Sequence, residues 1–157
     1  MHHRLGLILL QTGHSDQAIY HLQRSTMTAP SNAEFHSNYA TALNMNGKPE
    51  PAVESYRRAL MFNAAWFPAH LGLSSALLGV RDYAAAAEAA RQAIQLAPDR
   101  VEPWVNLGLA LNRGGRSAEA VPLLLEVLAA NPRLVDGWEV LSGAYERLGK
   151  MDEALAA

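Results

Sequence analysis

The stretch WVNLGLALNRGGRSAEA, residues 104–120, recurs along the chain at a fixed spacing of 34 residues. Further copies begin at residues 2, 36, 70 and 138, and all of them align without an insertion or a deletion. A fixed period between about 20 and 50 residues is typical of stacked-repeat proteins. The repeat therefore predicts the fold better than any single local motif does.

The columns of this alignment predict two helices in each copy. Trp104, Leu107 and Leu111 follow a spacing of three and four residues, which marks the buried face of a helix. One column holds only small residues, such as Gly108, and a second column is always alanine, such as Ala120. Small side chains on both helices let their backbones approach closely, so each copy is predicted to form a helical hairpin.

Glycine occupies the position between the two predicted helices in every copy except the third, where Arg81 stands. A glycine just after a helix adopts the left-handed backbone that ends it. Gly114-Gly115 is therefore predicted to stop a helix. A phosphate-binding loop would need a preceding strand and a Lys followed by Ser or Thr. Acidic or capping residues should begin the second helix, and these are Ser15, Asp16, Glu50, Ser117 and Asp152.

The pattern resembles the tetratricopeptide repeat (TPR), whose units are 34 residues long. The fullest matches are Trp104, Leu107, Gly108, Leu111, Gly115, Ala120, Leu124 and Pro132, and then Trp138, Leu141, Tyr145, Gly149 and Ala154. The resemblance implies an all-α, right-handed superhelical solenoid of antiparallel helix hairpins, whose first helices line a concave groove. We expect a single TPR domain over residues 1–157, with units at about 1–32, 33–66, 67–100 and 101–134 and a partial unit at 135–157.

The same resemblance implies that the groove binds a peptide or protein segment. The candidate contact residues are Asn38, Thr41, Asn44, Leu71, Ser75, Leu78, Val105, Asn106, Leu109, Asn112 and Arg113. Asparagine both donates and accepts hydrogen bonds, which suits the backbone of an extended peptide. Asn38 and Asn106 share the column in which the repeats of O-GlcNAc transferase carry an asparagine ladder, and Arg4, Gly72 and Val140 interrupt that ladder here.

Composition and local motifs favour no catalytic, cofactor or metal site. Thirteen Lys and Arg against fifteen Asp and Glu give a net charge of −2, which argues against nucleic acid as a partner. His2, His36 and His70 share one column, but that column holds Trp in later copies and is therefore a packing position. The carboxylates nearest the inner face are predicted to be solvated, and these are Glu102, Asp136, Glu139 and Glu146. We expect a binding protein and not an enzyme.

The sequence also predicts a cellular location and leaves two alternative roles open. No stretch approaches the roughly 20 apolar residues that span a bilayer, so a cytoplasmic protein without membrane insertion is expected. The unfinished fifth unit also suits a non-catalytic arm of a larger enzyme, such as a bacterial glycosyltransferase or sulfotransferase. Self-association through the open end, around Leu148, Met151 and Leu155, is a further possibility.

Overall fold

The computed structural model describes residues 1–150. Every regular element in that range is an α-helix, and short turns join successive helices. In chain order the helices are α1 (His2–Gln11), α2 (Ser15–Thr28), α3 (Ala33–Met45), α4 (Pro49–Phe62), α5 (Phe67–Gly79), α6 (Tyr83–Leu96), α7 (Glu102–Arg113), α8 (Ser117–Ala130) and α9 (Val135–Arg147).

The predicted all-α fold of paired helices is confirmed for the described residues. The chain divides into two compact units, unit 1 (Met1–Val80) with α1 to α5 and unit 2 (Arg81–Ala157) with α6 to α9. The second helix predicted for the fifth copy, with Asp152 and Ala154, lies outside the described residues. The assignment of the whole chain to a single domain remains a prediction.

The two small-residue columns lie where the helices of a hairpin meet, as predicted. A Cβ atom on Gly108 would lie 2.7 Å from Cδ2 of Leu124, so an added side chain would require Leu124 to shift. Ala40 and Ser74, in the same column, have no exposed surface. The alanine column is equally buried, with 0% exposure at Ala18, Ala52, Ala86 and Ala120. The close approach of the paired helices thus depends on these positions.

The first column carries a hydrogen bond that the sequence pattern alone did not predict. His36 Nε2 lies 2.8 Å from the carbonyl oxygen of Pro30, and Trp104 Nε1 donates to that of Pro98 at 3.2 Å. A carbonyl only accepts, so the Nε2 atom of His36 carries the proton. His70 with Ala64 and Trp138 with Pro132 repeat the contact at 2.8 Å and 3.0 Å. Imidazole and indole share this column because both present a ring N–H.

The hairpin turns confirm the predicted helix stops. The turn glycines Gly13, Gly47, Gly115 and Gly149 have φ angles between 71° and 80°. Arg81 occupies the same left-handed region with φ 64°, although it carries a side chain. The third turn therefore has the same backbone geometry as the others.

Ser15 and Ser117 begin α2 and α8 as predicted, but neither side chain caps its helix. The Ser117 hydroxyl instead donates to Asn112 Oδ1 at 2.7 Å. Within residues 1–150, the side chains that cap helices are Asn32 and Asp82, which accept from the backbone N–H groups of Phe35 and Ala85. Acidic residues do stand in the first turns of α2 and α4, as expected, at Asp16 and Glu50.

We expect Arg81→Gly to stabilise the protein. A side chain in the left-handed region costs about 1–2 kcal/mol, and the extra freedom of glycine in the unfolded chain offsets about 0.4–1 kcal/mol of that gain. The melting temperature should rise by roughly 2 °C for a chain of this size. Thermal unfolding followed by circular dichroism measures it. The reverse change in unit 2, Gly115→Arg, is the matched control and should lower the melting temperature, and a lower value for Arg81→Gly would contradict the strain argument.

We also expect His70→Phe to be less stable than His70→Trp. Phenylalanine has no ring N–H and leaves the carbonyl of Ala64 without its partner, whereas tryptophan restores the donor found in unit 2. An intramolecular hydrogen bond of this kind contributes roughly 0.5–1.5 kcal/mol. Urea unfolding at equilibrium measures the difference. Equal stability of the two variants would show that the His70 ring contributes packing but no hydrogen bond.

Candidate binding surfaces

The groove residues predicted for the fourth copy come together in unit 2. They line one side of a cleft of about 570 Å³, called here the α7–α9 cleft. Its α7 side is formed by Val105, Asn106, Leu109, Asn112 and Arg113. Its α9 side is formed by Asp136, Glu139, Val140, Gly143, Glu146 and Arg147. The structure therefore brings five of the predicted groove residues together on one side of α7.

The two asparagines of the α7–α9 cleft differ in what they can bind. Asn106 is partly buried and makes no side-chain hydrogen bond within residues 1–150, so both its amide nitrogen and its oxygen are open to a ligand. Asn112 is only 5% exposed and its oxygen already accepts from the hydroxyl of Ser117. Asn112 thus holds the hairpin together, and Asn106 is the asparagine that is available for contact.

The charges of the α7–α9 cleft are separated along its length. Asp136 and Glu139 stand in the first two turns of α9, while Arg113 and Arg147 stand in the last turns of α7 and α9. Glu146 reduces the positive charge at the second end. No ion pair within residues 1–150 uses any of these groups. One end of the cleft is therefore acidic and the other is basic.

The carboxylate of Glu102, expected near the inner face, is engaged elsewhere. Arg100 donates to both its oxygens, at 2.6 Å and 3.2 Å, and this contact is the main reason that the pKa of Glu102 lies below its usual value. Glu102 does not line the α7–α9 cleft. The remaining predicted carboxylates, Asp136, Glu139 and Glu146, are exposed as expected.

The predicted groove residues of unit 1 bond mainly to one another and to their neighbours. Asn38 Nδ2 lies 2.9 Å from His3 Nε2, and Asn44 Nδ2 donates to the hydroxyl of Ser75 at 3.4 Å. Leu71 is partly buried, but Leu78 is only 7% exposed and packs in the core. Leu78 is thus not available for contact with a ligand in this structure.

The gap in the asparagine column at Gly72 has a physical cause that the sequence analysis missed. Tyr56 is 2% exposed, and its hydroxyl lies 3.0 Å from the Thr41 hydroxyl. A Cβ atom on Gly72 would overlap the Tyr56 ring. Burial raises the pKa of Tyr56, while the hydrogen bond to Thr41 opposes that shift. The sequence does contain a sign of this contact. Tyr56 is the aromatic member of a column that otherwise holds Leu22, Ala90 and Leu124.

Histidines do not form a metal site in the described part of the chain. His2 Nδ1 bonds to His21 Nδ1 at 2.8 Å, whereas His36 and His70 bond to carbonyl oxygens. Residues 1–150 contain no group of three or more His, Asp or Glu side chains that could hold an ion. Within the same range, no helix has the length and apolar character needed to cross a membrane.

The family model of the tetratricopeptide repeat matches residues 3–66, 71–135 and 113–157. The chain belongs to the tetratricopeptide repeat family. TPR repeats generally mediate contacts between proteins, so this TPR protein is a protein-interaction scaffold in that general sense. A search of curated proteins found no match.

Several solved structures share the fold. A MamA protein is 23% identical with a TM-score of 0.86, and the match covers 99% of this chain and 85% of that one. The pilF protein of Pseudomonas aeruginosa is 24% identical with a TM-score of 0.82, over 99% and 71% of the two chains. A thermophilic TPR protein of Thermus thermophilus is 22% identical with a TM-score of 0.77, over 99% and 85%. At these identities the likeness shows the TPR fold alone.

The exposed end predicted to mediate self-association is described only in part. Leu148 is 40% exposed, whereas Met151 and Leu155 lie outside the described residues. Self-association of this TPR protein remains a prediction.

We expect Gly72→Asn to destabilise the TPR fold unless Tyr56 is also made smaller. Overpacking of a well-packed contact costs typically 1–3 kcal/mol, and the asparagine side chain would need the space that the Tyr56 ring fills. A double-mutant cycle with Tyr56→Leu, measured by urea unfolding, should give a coupling energy of about 1 kcal/mol or more in favour of the double variant. Additive changes would show that Tyr56 does not determine the glycine.

Proposed function

We propose that this TPR protein binds an extended segment of a partner protein in the α7–α9 cleft and has no catalysis of its own. The open side chain of Asn106 carries the proposal, because it presents one donor group and one acceptor inside a cleft. The cleft volume of about 570 Å³ lies within the usual range for ligand pockets. The same role suits a free-standing scaffold and a recruiting arm of a larger enzyme.

The backbone of the partner would bond to Asn106. Each peptide unit has one N–H and one C=O group, and an asparagine amide pairs with both. Asn106 is already held within a folded helix and partly buried, so less of its freedom is lost on binding than at a mobile surface residue. A contact to the backbone gives affinity without selecting a particular side chain.

Apolar side chains beside Asn106 would contribute most of the affinity. Val105 and Leu109 are partly buried and lie on the same side of the cleft, and Val140 faces them from α9. Removing such surface from water contributes roughly 25 cal/mol per Å². An apolar side chain of the partner at the middle of the cleft would cover all three.

The separated charges would set the direction and the sequence preference of the partner. A basic residue suits the end with Asp136 and Glu139, and an acidic residue suits the end with Arg113 and Arg147. Complementary charge gives specificity and a faster encounter more than it gives raw affinity. The preferred segment therefore has a basic residue, an apolar centre and an acidic residue in a fixed order.

Selection from a displayed peptide library on the full chain tests the proposal. Selected peptides should share the basic, apolar and acidic order, and Asn106→Ala should weaken their binding by about tenfold, which corresponds to the loss of two peptide-backbone hydrogen bonds. The matched control is Asn44→Ala, which removes an asparagine from the inner face of unit 1 and should leave binding unchanged. Binding that is lost with Asn44→Ala but kept with Asn106→Ala would move the site to unit 1 and refute the proposal.

The charge preference has its own readout in the same selection. On an Arg113→Glu, Arg147→Glu variant, the acidic position of the selected peptides should change to a basic one. An unchanged preference would show that these arginines do not contact the partner. In that case the proposed orientation fails even if Asn106 still contributes to binding.

A further inference from the structure

A second polar cavity lies in unit 1, and none of the predicted groove residues line it. Its volume is about 280 Å³, it is open to solvent on one side, and α2, α3 and α4 line it. The lining side chains are Gln23, Thr26, Met27, His36, Tyr39, Pro51, Glu54, Ser55 and Arg58. We call it the hydroxyl cavity, because three of these side chains carry hydroxyl groups.

The hydroxyl cavity departs from the repeat pattern in a concerted way. Thr26, Tyr39 and Ser55 occupy three different columns of the 34-residue alignment. In unit 2 the same three columns hold Ile94, Leu107 and Leu123. The columns of Thr26 and Tyr39 are apolar in every other copy, whereas the column of Ser55 also holds His21 and Ala89.

Two of the three hydroxyls lack a partner within the described part of the protein. Ser55 is only 7% exposed, and neither its hydroxyl nor that of Tyr39 makes a hydrogen bond within residues 1–150. Thr26, by contrast, donates to the carbonyl oxygen of Gln23 at 2.8 Å. Neither hydroxyl oxygen is sealed from solvent, so both are open to donate to a ligand that enters the cavity.

Glu54 and Arg58 both line this cavity, and the charge that acts on the Tyr39 hydroxyl is that of Arg58. Burial raises the pKa of the Tyr39 hydroxyl above its usual value, and the charge of Arg58 opposes that shift. Arg58 makes no ion pair within residues 1–150, although Glu54 stands one helical turn before it. The guanidinium is thus available to a ligand and lies near the hydroxyl of Tyr39.

We infer that the hydroxyl cavity binds a small carboxylate. The Arg58 guanidinium pairs with the carboxylate group, whose geometry matches the fork of its N–H donors. Ser55 and Tyr39 donate their free hydroxyls to the same oxygens. His36 cannot supply its Nε2 proton to the ligand, because that proton is already donated to the carbonyl of Pro30. The cavity is small enough to exclude a folded partner.

Titration of the full chain with sodium acetate and with sodium succinate, followed by NMR of the backbone amides, tests this inference. Saturable shifts should appear at Tyr39, Ser55 and Arg58, and sodium chloride at the same ionic strength should not produce them. Arg58→Gln should weaken binding at least tenfold, on the order of the loss of a charge-assisted hydrogen bond. The matched control is Arg57→Gln, which changes the exposed arginine beside it and should leave affinity unchanged.

A second variant separates loss of binding from loss of structure. Tyr39→Phe, Ser55→Ala keeps the shape of the cavity and removes both free hydroxyls, so it should weaken binding about tenfold while amide signals elsewhere stay in place. Glu54→Gln removes a like charge and should tighten binding. Shifts that never saturate, or an equal response in Arg58→Gln, would show that only water and loosely associated ions enter the cavity. Saturable binding of phosphate without acetate or succinate would refute the carboxylate assignment. No residue is shared with the α7–α9 cleft, so neither outcome affects that proposal.

Discussion

The closeness of the two helices in a hairpin is the constraint on which the other features depend. At Gly108 the Leu124 side chain would crowd an added Cβ atom at 2.7 Å, and Ala40 and Ser74 have no exposed surface in the same column. Because the small column and the alanine column face each other inside the hairpin, the other faces of the first helix are directed away from it. The side of α7 that lines the α7–α9 cleft is exposed for this reason.

The same constraint explains why unit 1 and unit 2 differ in the side chains that their inner faces offer for binding. Where the second helix carries leucine, as at Leu124, the contact is completed inside one hairpin. Where it carries Tyr56, the side chain bonds to Thr41 inside its own hairpin, and the ring also extends beyond that hairpin to Gly72 of α5, where it removes the place for an asparagine. One enlarged core residue therefore changes the inner face of unit 1, although it has almost no exposed surface itself.

The sequence predicted the helices, the turns and the shared face of the α7 residues because these follow from periodicity. A column repeated at a fixed spacing reports which side of a helix a residue occupies, and Val105, Asn106 and Leu109 needed no more than that. Periodicity does not show which hydrogen-bond partner a polar side chain has. Asn106 and Asn112 were both predicted to face the groove, and burial together with the Ser117 hydrogen bond makes Asn112 unavailable. The hydroxyl cavity was missed for a related reason, since its three hydroxyl-bearing residues come from three helices and three unrelated columns.

Ring N–H groups in the first column of the repeat alignment donate hydrogen bonds that couple each hairpin to the one before it. This coupling makes the unfolding of the hairpins cooperative. Each bond joins the start of one hairpin to the residue that closes the hairpin before it, as between Trp138 and Pro132. Melting of one hairpin therefore removes a partner from its neighbour and weakens the next junction along the chain. Repeat proteins behave in this respect like a linear lattice with nearest-neighbour coupling. Amide hydrogen exchange in such a lattice proceeds by the loss of whole hairpins, and the strength of the junctions determines how far each loss spreads.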